Sequence, residues 1–543
     1  MLLFLLLFLL VGGQLKVILH SDYGSMSHTM PLLEIGSVLA GRKHAVIYAA
    51  ADFHAKYNGP YGFDFRSLGA TFDDAGFIQD AMKRVFGQRR RVDGNDIFAT
   101  FNKILPISYE AIYPRLSALV EQEKPDVMVC EFFSPACRDV AEMNGIPLVM
   151  SFQSTDGFTL SRAAFVTNTL GYIPITTDKL GFVERFHDKV VVPLISIYKF
   201  YGLTRALNKK RALFKVPAAS QPLGDFSNVL GLANSFVGFE AAAPLPPNLR
   251  MVGPLENKLG NHISPELQFF LDSHTRTLYI GFGSRLVLAN FDVENIVMAS
   301  LIALKDDIVD GVVWGLGSTR QDDFPETILF EGNLLPREYL FQHPNMRVLA
   351  WAPQDAVLKH PNTKLFLSHG GLGSLFEAIF AATPVLCMPF FSDQPRNARK
   401  LEDAGIGQYV DRITATPQSL VYQMDGILQD RNGSIAMNLH RMQMLARIGS
   451  RRRELGADVV EEYAYAAQFC RPIEKHVYGQ IPCEAKHLIP ASQGMSYIQA
   501  NLIDVYLVAW SLMIGIAFIL LLGGLKLFFY LKASQKTTKK KIH

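Results

Sequence analysis

Residues 351–394 read WAPQDAVLKHPNTKLFLSHGGLGSLFEAIFAATPVLCMPFFSDQ, and this stretch decides the fold. The apolar runs Lys364–Leu367 and Pro384–Pro389 have the length and composition of buried strands. A glycine-rich turn and an apolar segment of helical length lie between them. Strand, turn, helix and strand in this order predict one unit of a parallel α/β sheet.

The same alternation of short apolar runs and amphipathic segments continues toward both ends of the chain. At 543 residues the chain is too long for one ordinary core, and a Pro-, Gly- and Asn-rich stretch from Ala243 to Gly260 divides it. We therefore predict an α/β protein with two Rossmann-like domains. Further strands are predicted at Lys16–His20, Ala45–Ala49, Asp126–Cys130 and Pro147–Met150 in the first domain and at Thr277–Gly281, Val312–Trp314 and Arg347–Leu349 in the second, with the first helix starting at Pro31.

Both ends of the chain carry apolar segments. Leu2–Val11 has the length of a signal-peptide core, and Val505–Leu525 is a run of 21 uncharged residues, long enough to cross a bilayer as a helix. The lysine-rich tail predicts a cytosolic C-terminus and a lumenal remainder, where the sequon Asn432–Ser434 falls. Lys540–Lys541 resembles a dilysine retrieval signal, so we predict a single-pass type I protein of the endoplasmic reticulum membrane.

These features predict six segments: a signal peptide over 1–13, an N-terminal domain over 14–250, a C-terminal domain over 251–440, helices packing back toward the N-terminal domain over 441–503, a transmembrane helix over 504–525 and a basic cytosolic tail over 526–543. Residues 160–215 are apolar with interleaved Lys and Arg. Two interpretations stay open for them: a helical excursion that covers the core, or a lipophilic gate or membrane-surface patch.

Charge and cysteine content limit the partners and the redox setting. A net charge of +3, from 53 basic and 50 acidic side chains, gives no field that predicts nucleic-acid binding. Among the five cysteines, Cys470 and Cys483 are the pair expected to form a disulfide in an oxidising lumen. Cys130 and Cys387 lie in apolar runs, so we predict buried free thiols there.

The segment that decides the fold also supplies groups for a nucleotide base and a diphosphate. Trp351 offers an aromatic platform for uracil, and the extended backbone at Ala352 offers hydrogen bonds to the base edge. A diphosphate needs backbone N–H groups at a helix N-terminus, reached through a glycine-rich turn. The turn residues predicted to contact it are His369, Gly371, Gly373 and Ser374.

Polar residues farther along the chain could form hydrogen bonds with the two sugars of such a ligand. Glu377 lies one helical turn beyond Ser374, where its carboxylate could accept from ribose hydroxyls, and Gln354 could share them. Asp393 and Gln394 follow a predicted buried strand and have the acceptor and amide groups that hexose hydroxyls need. Each feature is weak alone, but their order and spacing predict a nucleotide-sugar site.

This order of motifs resembles the signature of the UDP-glycosyltransferase family, which includes UDP-glucuronosyl- and UDP-glucosyltransferases. The resemblance covers nearly the whole chain. It implies a GT-B fold of two facing Rossmann-like domains, with the acceptor in the N-terminal half, the UDP-sugar in the C-terminal half, and inversion at the anomeric carbon. Gly281–Ser284 matches the family's Phe-Gly-Ser turn, so Ser284 is expected to contact the donor phosphates, and Asn397 also fits the pattern. Gly373 departs from it, because most members carry Asn there.

Catalysis requires a base that takes a proton from the acceptor hydroxyl as it attacks the sugar. A histidine suits this role, and His28 stands where the family places its base, whereas His20 and His44 are less well placed. A carboxylate should orient that histidine. Family members usually have Asp at the position that Glu131 occupies here, and we predict His28 and Glu131 as the catalytic pair.

The remaining predictions concern cofactors, substrates and partners. No Asp-x-Asp motif in a metal-binding context and no His-Glu-x-x-His motif occurs, so we expect no metal and no cofactor, the UDP-sugar being a co-substrate. We predict transfer of a hexose, glucose by default, to a hydroxyl of a lipophilic small molecule or lipid. Arg285 and Arg396 leave UDP-glucuronate open as the donor. The other expected partner is the membrane bilayer, and homo-oligomerisation stays open. The alternative is a catalytically weak or silent, membrane-anchored UDP-sugar-binding subunit.

Overall fold

The structure of the chain is a computed structural model. It describes residues 13–22, 26–70, 85, 94–157, 163–168, 171–224, 226–256 and 262–540. The predicted signal peptide lies outside the described residues except for Gly13. The chain divides into two compact units, Met1–Leu488 and Ile489–His543, and the α/β architecture belongs to the first.

A seven-stranded parallel sheet forms the N-terminal half of the first unit. Its strands run in the spatial order β3-β2-β1-β4-β5-β6-β7. The four strands predicted here are present and lie next to one another within the sheet. The three others are short, so their apolar runs gave little signal. The strands are β1 (Lys16–Ser21), β2 (Ala45–Ala50), β3 (Asp64–Ser67), β4 (Val127–Glu131), β5 (Leu148–Phe152), β6 (Leu230–Ala233) and β7 (Leu249–Met251).

A second parallel sheet of six strands follows, in the order β12-β9-β8-β13-β14-β15, together with the antiparallel pair β10-β11. Its strands are β8 (Thr277–Gly281), β9 (Gly311–Gly315), β12 (Met346–Leu349), β13 (Thr363–Ser368), β14 (Val385–Cys387) and β15 (Gly407–Tyr409), and the pair is β10 (Thr327–Phe330) and β11 (Asn333–Pro336). Two sheets of this kind confirm the prediction of two Rossmann-like domains.

Helices cover the faces of both sheets. In chain order the α-helices are α1 (Met26–Gly41), α2 (Ala55–Asn58), α3 (Gly94–Glu123), α4 (Pro135–Met143), α5 (Phe182–Phe186), α6 (Val192–Leu213), α7 (Pro265–Ser273), α8 (Asn290–Lys305), α9 (Arg337–Gln342), α10 (Gln354–Lys359), α11 (Leu372–Ala381), α12 (Gln394–Asp403), α13 (Pro417–Gln429), α14 (Ser434–Ser450), α15 (Arg453–Cys470), α16 (Tyr497–Ala500) and α17 (Ile503–Lys540). The π-helical turn His187–Val191 joins α5 to α6.

Helix α1 begins earlier than the sequence predicts. Proline is favoured in the first turn of a helix, which placed the expected start at Pro31. The helix instead begins at Met26 and includes Pro31, which lacks the N–H that would reach the carbonyl of Ser27. His28 therefore lies on the first helical turn and not in the preceding loop.

The late helix α15 contacts the N-terminal domain through ion pairs with α1 and the turn after it. Arg453 lies 3.0 Å from Glu34, which is almost fully buried, and Glu461 lies 2.8 Å from both Arg42 and His44. These pairs join segments more than four hundred residues apart in the chain. The C-terminal part of the first unit thus returns to the helix that carries His28.

The cysteines agree with the predictions in part. Cys470 and Cys483 form a disulfide, and Cys387 is a buried free thiol, as predicted. The prediction for Cys130 was wrong, because it is bonded to Cys137. Cys130 lies on β4 and Cys137 in the first turn of α4, and the turn between them brings their Cα atoms to 6.0 Å, within the range of a disulfide.

The second unit is dominated by α17. Its residues Ile503–Lys532 are long and apolar enough to cross a membrane, and their most apolar window is entirely exposed. The helix extends beyond the predicted span of 504–525 into the lysine-rich tail, because lysine is a good helix former.

Candidate functional site

The structure brings His28 and Glu131 together at the carboxyl end of the N-terminal sheet. The Nδ1 atom of His28 lies 2.7 Å from Oε1 of Glu131. Glu131 ends β4 and is fully buried, whereas the His28 side chain is 21% exposed. Burial raises the pKa of Glu131, and this is partly opposed by His28 and by the Phe133 N–H, which donates to Oε2 over 2.8 Å. With Nδ1 facing the carboxylate, Nε2 is the nitrogen left for a substrate.

Two aromatic rings flank the imidazole. The ring centroids of Phe132 and Phe133 lie 6.0 and 5.8 Å from that of His28. The sequence analysis missed this pair, although the two residues directly follow Glu131 at the end of a predicted strand. The rings give an apolar wall beside a group that can accept a proton.

The other two candidate histidines do not reach this place. His20 is fully buried and bonds the Ala49 carbonyl and the Ser134 hydroxyl at 2.8 and 2.9 Å. Burial lowers the pKa of His20 to about 4, so its ring stays neutral. His44 is paired with Glu461.

The glycine-rich turn lies between β13 and α11. Gly370 has φ +83°, which favours glycine, and a Cβ there would come within 2.6 Å of the Cys387 sulfur. A Cβ at Gly371 would lie 2.4 Å from Nε2 of His369. Neither position has room for a side chain, and a glycine backbone just before α11 suits the close approach of a phosphate group to the helix N-terminus.

Gly373 is also explained by close approach. A Cβ built there lies 3.1 Å from Cβ of Ser27, the residue before His28. The first turn of α11 thus meets the first turn of α1, and a residue with a Cβ, such as Asn, would require a shift of a few tenths of an ångström there. This contact places the His28–Glu131 pair next to the predicted diphosphate site.

His369 faces the same turn. Its ring is buried and contacts the backbone of Gly281, the last residue of β8. Burial lowers the pKa of His369 to about 4, so the ring is neutral. Its Cε1 and Nε2 lie 3.0 Å from where a Cβ on Gly283 would stand, which places the turn before Ser284 against the ring. The Ser284 carbonyl accepts from the Ser318 hydroxyl over 2.6 Å.

The residues predicted for the ribose form a hydrogen-bonded group. Nε2 of Gln354, the first residue of α10, donates to Oγ of Ser374 over 3.0 Å and to Oε2 of Glu377 over 2.5 Å. The Tyr279 hydroxyl donates to Oε1 of Gln354 over 3.4 Å. Tyr279 was missed because it is buried in β8 and reads as a core residue. These contacts orient Glu377 and join it to Gln354 and Ser374 in one group.

The predicted base platform is exposed at the end of β12. The Trp351 side chain is 66% exposed, a large apolar surface with a free face, while Ala352 is buried. A Cβ at Gly315, the last residue of β9, would lie 3.2 Å from Cβ of Ala352. Trp351 is therefore held at the carboxyl edge of the sheet, where ligands bind in open α/β folds.

The Asp393–Gln394 loop is linked to the glycine-rich turn by Asn397. The Nδ2 atom of Asn397 donates to the Gly370 carbonyl over 3.0 Å and to Oδ2 of Asp393 over 2.7 Å. Oε1 of Gln394 accepts hydrogen bonds from the backbone N–H groups of Phe390 and Phe391, and these bonds stabilise the loop conformation. Burial raises the pKa of Asp393, and Asn397 and the nearby His28 oppose this.

A buried cluster of four charges, the interdomain ion cluster, connects the N-terminal domain to α12. Nζ of Lys400 lies 2.8 Å from Asp156 and 2.7 Å from Glu240, and Nε of Arg396 lies 2.9 Å from Asp156. Burial lowers the pKa of Lys400, but the two carboxylates raise it more, and the net pKa lies above its usual value. Because α12 starts at Gln394, this cluster fixes the loop that carries Asp393 and Gln394 against the opposite domain.

Replacing Lys400 with methionine should destabilise the chain, because Asp156 and Glu240 would lose the shared cation while remaining buried. We expect a loss of about 3–5 kcal/mol in the free energy of unfolding, measured by denaturant unfolding in detergent. The exposed Lys364, changed to methionine, is the control and should shift stability by no more than about 0.5 kcal/mol. Equal effects of the two changes would contradict a stabilising role for the cluster.

Among the described residues, the side chains that could share a metal ion do not include the predicted site residues. Within the described ranges, the His, Cys, Asp and Glu residues that lie close enough to share an ion are Cys470, Cys483 and Glu484. The two thiols are joined in a disulfide and are therefore not available as thiolate ligands.

Comparison with known proteins finds a matching family and several relatives of this chain. A family model described as "UDP-glucoronosyl and UDP-glucosyl transferase" matches residues 25–445. The chain is 27% identical over 500 residues to a UDP-glycosyltransferase of Talaromyces amestolkiae, covering 89% of this chain and 92% of that one. It is 31% identical over 426 residues to UDP-glycosyltransferase 1 of Phaeomoniella chlamydospora, covering 76% and 82%. UDP-glucuronosyltransferase 2A3 of Cavia porcellus is 25% identical over 401 residues, with coverage of 71% and 67%.

Solved structures show the same architecture. A UDP-glucosyltransferase from Polygonum tinctorium capable of glucosylating indoxyl, in complex with 3,4-dichloroaniline, superposes with a TM-score of 0.56 at 19% identity, covering 82% of this chain and 99% of that one. The glycotransferase of kitacinnamycin superposes with a TM-score of 0.55 at 19% identity, covering 82% and 98%. At this identity the likeness concerns the fold, which is the GT-B arrangement of two Rossmann-like domains.

Proposed function

The chain belongs to the family of UDP-glucuronosyl and UDP-glucosyl transferases, and from that premise we propose that it moves glucose from UDP-glucose to a hydroxyl of a lipophilic small molecule or lipid. Membership makes it an enzyme that transfers a sugar from a UDP-sugar to an acceptor. The choice of sugar, the acceptor class and the base are proposals. The observation that carries the proposed transfer is the His28–Glu131 pair, set beside the first turn of α11 by the contact of Ser27 with Gly373.

The proposed reaction is a direct displacement at the anomeric carbon. Nε2 of His28 takes the proton of the acceptor hydroxyl while its oxygen bonds to the sugar carbon, and the bond from that carbon to the diphosphate oxygen breaks. UDP leaves with the electron pair, and attack from the opposite face inverts the configuration. Glu131 stabilises the imidazolium that forms. The N–H groups at the start of α11 and the helix dipole stabilise the leaving diphosphate, with no metal needed.

The contacts of Arg396 favour an uncharged hexose as the transferred sugar. A glucuronate carboxylate would favour an arginine with a guanidinium directed at the sugar. Arg396 is 1% exposed, and its guanidinium is bonded to Asp156 and Thr167 in the interdomain ion cluster. The guanidinium of Arg285 lies over the ring of Phe53 at 5.7 Å. Both arginines that favoured glucuronate thus have other partners.

Phe132 and Phe133 support a lipophilic acceptor. Aromatic rings that flank the base can stack on a planar acceptor and hold its hydroxyl near Nε2 of His28. The alternative of a silent binding subunit rested on Glu131 and Gly373. Glu131 reaches His28 at hydrogen-bond distance, and Gly373 relieves the contact with Ser27, so each departure has a structural account compatible with turnover.

The test is a donor screen on the full chain with a planar aromatic hydroxyl compound as acceptor. UDP-glucose, UDP-glucuronate, UDP-galactose and UDP-N-acetylglucosamine are compared by product formation. We expect kcat/KM to be highest for UDP-glucose, because the two arginines considered for a sugar carboxylate, Arg285 and Arg396, have other partners. A preference for UDP-glucuronate would overturn the choice of sugar, and UDP release without any glycoside would overturn the acceptor class.

We also propose that the first unit faces the lumen of the endoplasmic reticulum. Two disulfides, Cys130–Cys137 and Cys470–Cys483, fit an oxidising compartment. Asn432, in the sequon, is exposed on the turn before α14, where a glycan has room. Treatment with endoglycosidase should therefore increase gel mobility for the wild type and leave Asn432→Gln unchanged; an unglycosylated wild type would argue against the assignment.

A further inference from the structure

The segment Phe182–Leu213 carries an apolar surface that the described part of the chain leaves exposed. It comprises α5, the π-helical turn and α6, and only 11% of its most apolar window is buried. Phe182 is 74% and Tyr198 83% exposed, and further large apolar side chains of the segment are exposed with them. We name this surface the apolar stripe; its members are Phe182, Val183, Phe186, Val190, Leu194, Ile197, Tyr198 and Tyr201.

The stripe follows one side of the helical segment. Most of its residues are separated by four positions, from Phe182 through Val190 to Tyr198 and from Ile197 to Tyr201. This spacing keeps side chains on one helical face. The face therefore belongs to a helix whose inner side packs on the protein and whose outer side is apolar.

Contacts at both ends of the segment hold the stripe outward. Asp188 is buried and accepts from the backbone N–H of Asn168 at 3.0 Å with both carboxylate oxygens. Leu203 and Leu207 are buried in the same hydrophobic cluster as residues of α3, and Arg211 is fully buried with Nε 2.7 Å from Asp139. Turning the stripe inward would break buried charged contacts, which would strongly destabilise the fold. The same contacts prevent this helix from crossing a bilayer.

The charge of the segment favours a membrane surface as the partner of the apolar stripe. Phe182–Leu213 has seven basic and two acidic side chains, a net charge of +5 within a chain of net +3. Exposed Arg205 and Lys209 continue the i+4 series beyond Tyr201. An apolar face of Phe, Tyr, Leu and Ile with basic residues at its end suits a bilayer surface with anionic headgroups. Since Ile503–Lys532 can cross a membrane, a bilayer is the apolar phase available to this chain.

We propose that the apolar stripe lies in the surface of an anionic bilayer as a second, monotopic contact of this chain with the membrane. The apolar side chains of the stripe are buried at the boundary of acyl chains and headgroups, and Arg205 and Lys209 contact the lipid phosphates. A second copy of the chain is the competing occupant. It would cover the stripe with protein and would not require the positive charge.

The test uses the full chain in nanodiscs of phosphatidylcholine and phosphatidylserine, with an environment-sensitive fluorophore on an introduced cysteine. Four of the five native cysteines are in disulfides and Cys387 is buried, so an introduced exposed thiol is labelled selectively. Tyr198→Cys samples the stripe. Tyr422→Cys is the matched control, since Tyr422 is 81% exposed on α13. Retained binding of UDP-glucose verifies that each variant is folded.

At position 198 we expect a blue shift, loss of emission with nitroxide-labelled lipids and protection from aqueous iodide; position 422 should show the reverse. The shift should shrink in phosphatidylcholine alone and in the variant Arg205→Glu/Lys209→Glu. A label at 198 that behaves like the one at 422 would overturn the proposal. Protection from iodide without quenching by lipid would assign the stripe to a second copy instead. A shift that ignores phosphatidylserine would overturn the role of the basic residues.

Discussion

Changing Glu131 to glutamine is expected to lower kcat by about 10²–10⁴-fold, the contribution of general acid–base catalysis, because the carboxylate orients the histidine and stabilises its imidazolium. The amide keeps the size of the side chain, and its oxygen can still accept from Nδ1 of His28. It removes the negative charge that stabilises the imidazolium. The affinity for UDP-glucose should change little, because Glu131 lies in the other domain from the predicted donor contacts. Steady-state kinetics and donor binding by calorimetry measure the two quantities.

Two further variants separate charge from position. Glu131→Asp keeps the charge but withdraws the carboxylate by one carbon–carbon bond, about 1.5 Å, so its kcat should fall between those of the wild type and Glu131→Gln. Glu34→Gln removes a buried carboxylate from α1 that pairs with Arg453, away from the site. We expect it to reduce stability and to leave kcat near the wild-type value. A full rate for Glu131→Gln would contradict the catalytic pair.

The central part of the fold was predictable because parallel strands buried on both faces are continuous apolar runs. β1, β4, β8 and β13 are of this kind, and their predicted positions agree with the structure within about one residue. Edge strands gave a weaker signal. β3 contains two charged residues and β15 has three residues, so neither has a recognisable apolar run.

The candidate site was predictable where the chemistry is local in sequence. Glycine in the turn before α11 is needed for close backbone approach, and the turn could be placed from its sequence alone. Contacts between distant residues were not predictable. The nearness of Gly373 to Ser27, the interdomain ion cluster and the Cys130–Cys137 bond all depend on how separate elements pack. The pairing of His28 with Glu131, about a hundred residues apart, could be predicted only through the family resemblance and not from local sequence.

Replacing His28 with alanine should have an effect as large as any in this chain. The acceptor hydroxyl would lose the group that takes its proton. The residual rate would then depend on water as the base or on attack by the neutral hydroxyl. General-base catalysis contributes about 10²–10⁴-fold, so kcat should fall by that factor. The predicted donor contacts are untouched, because His28 belongs to α1 of the N-terminal domain. His440→Ala, which changes an exposed histidine on α14, is the control and should keep the wild-type rate.

The most direct test of the central claim measures UDP-glucose binding and glucoside formation side by side for the wild type and His28→Ala, at a saturating donor concentration. The proposed mechanism predicts equal donor affinity and a rate of glucoside formation about 10²–10⁴-fold lower in the variant. Equal rates in the two proteins would contradict His28 as the base and, with it, the proposed mechanism.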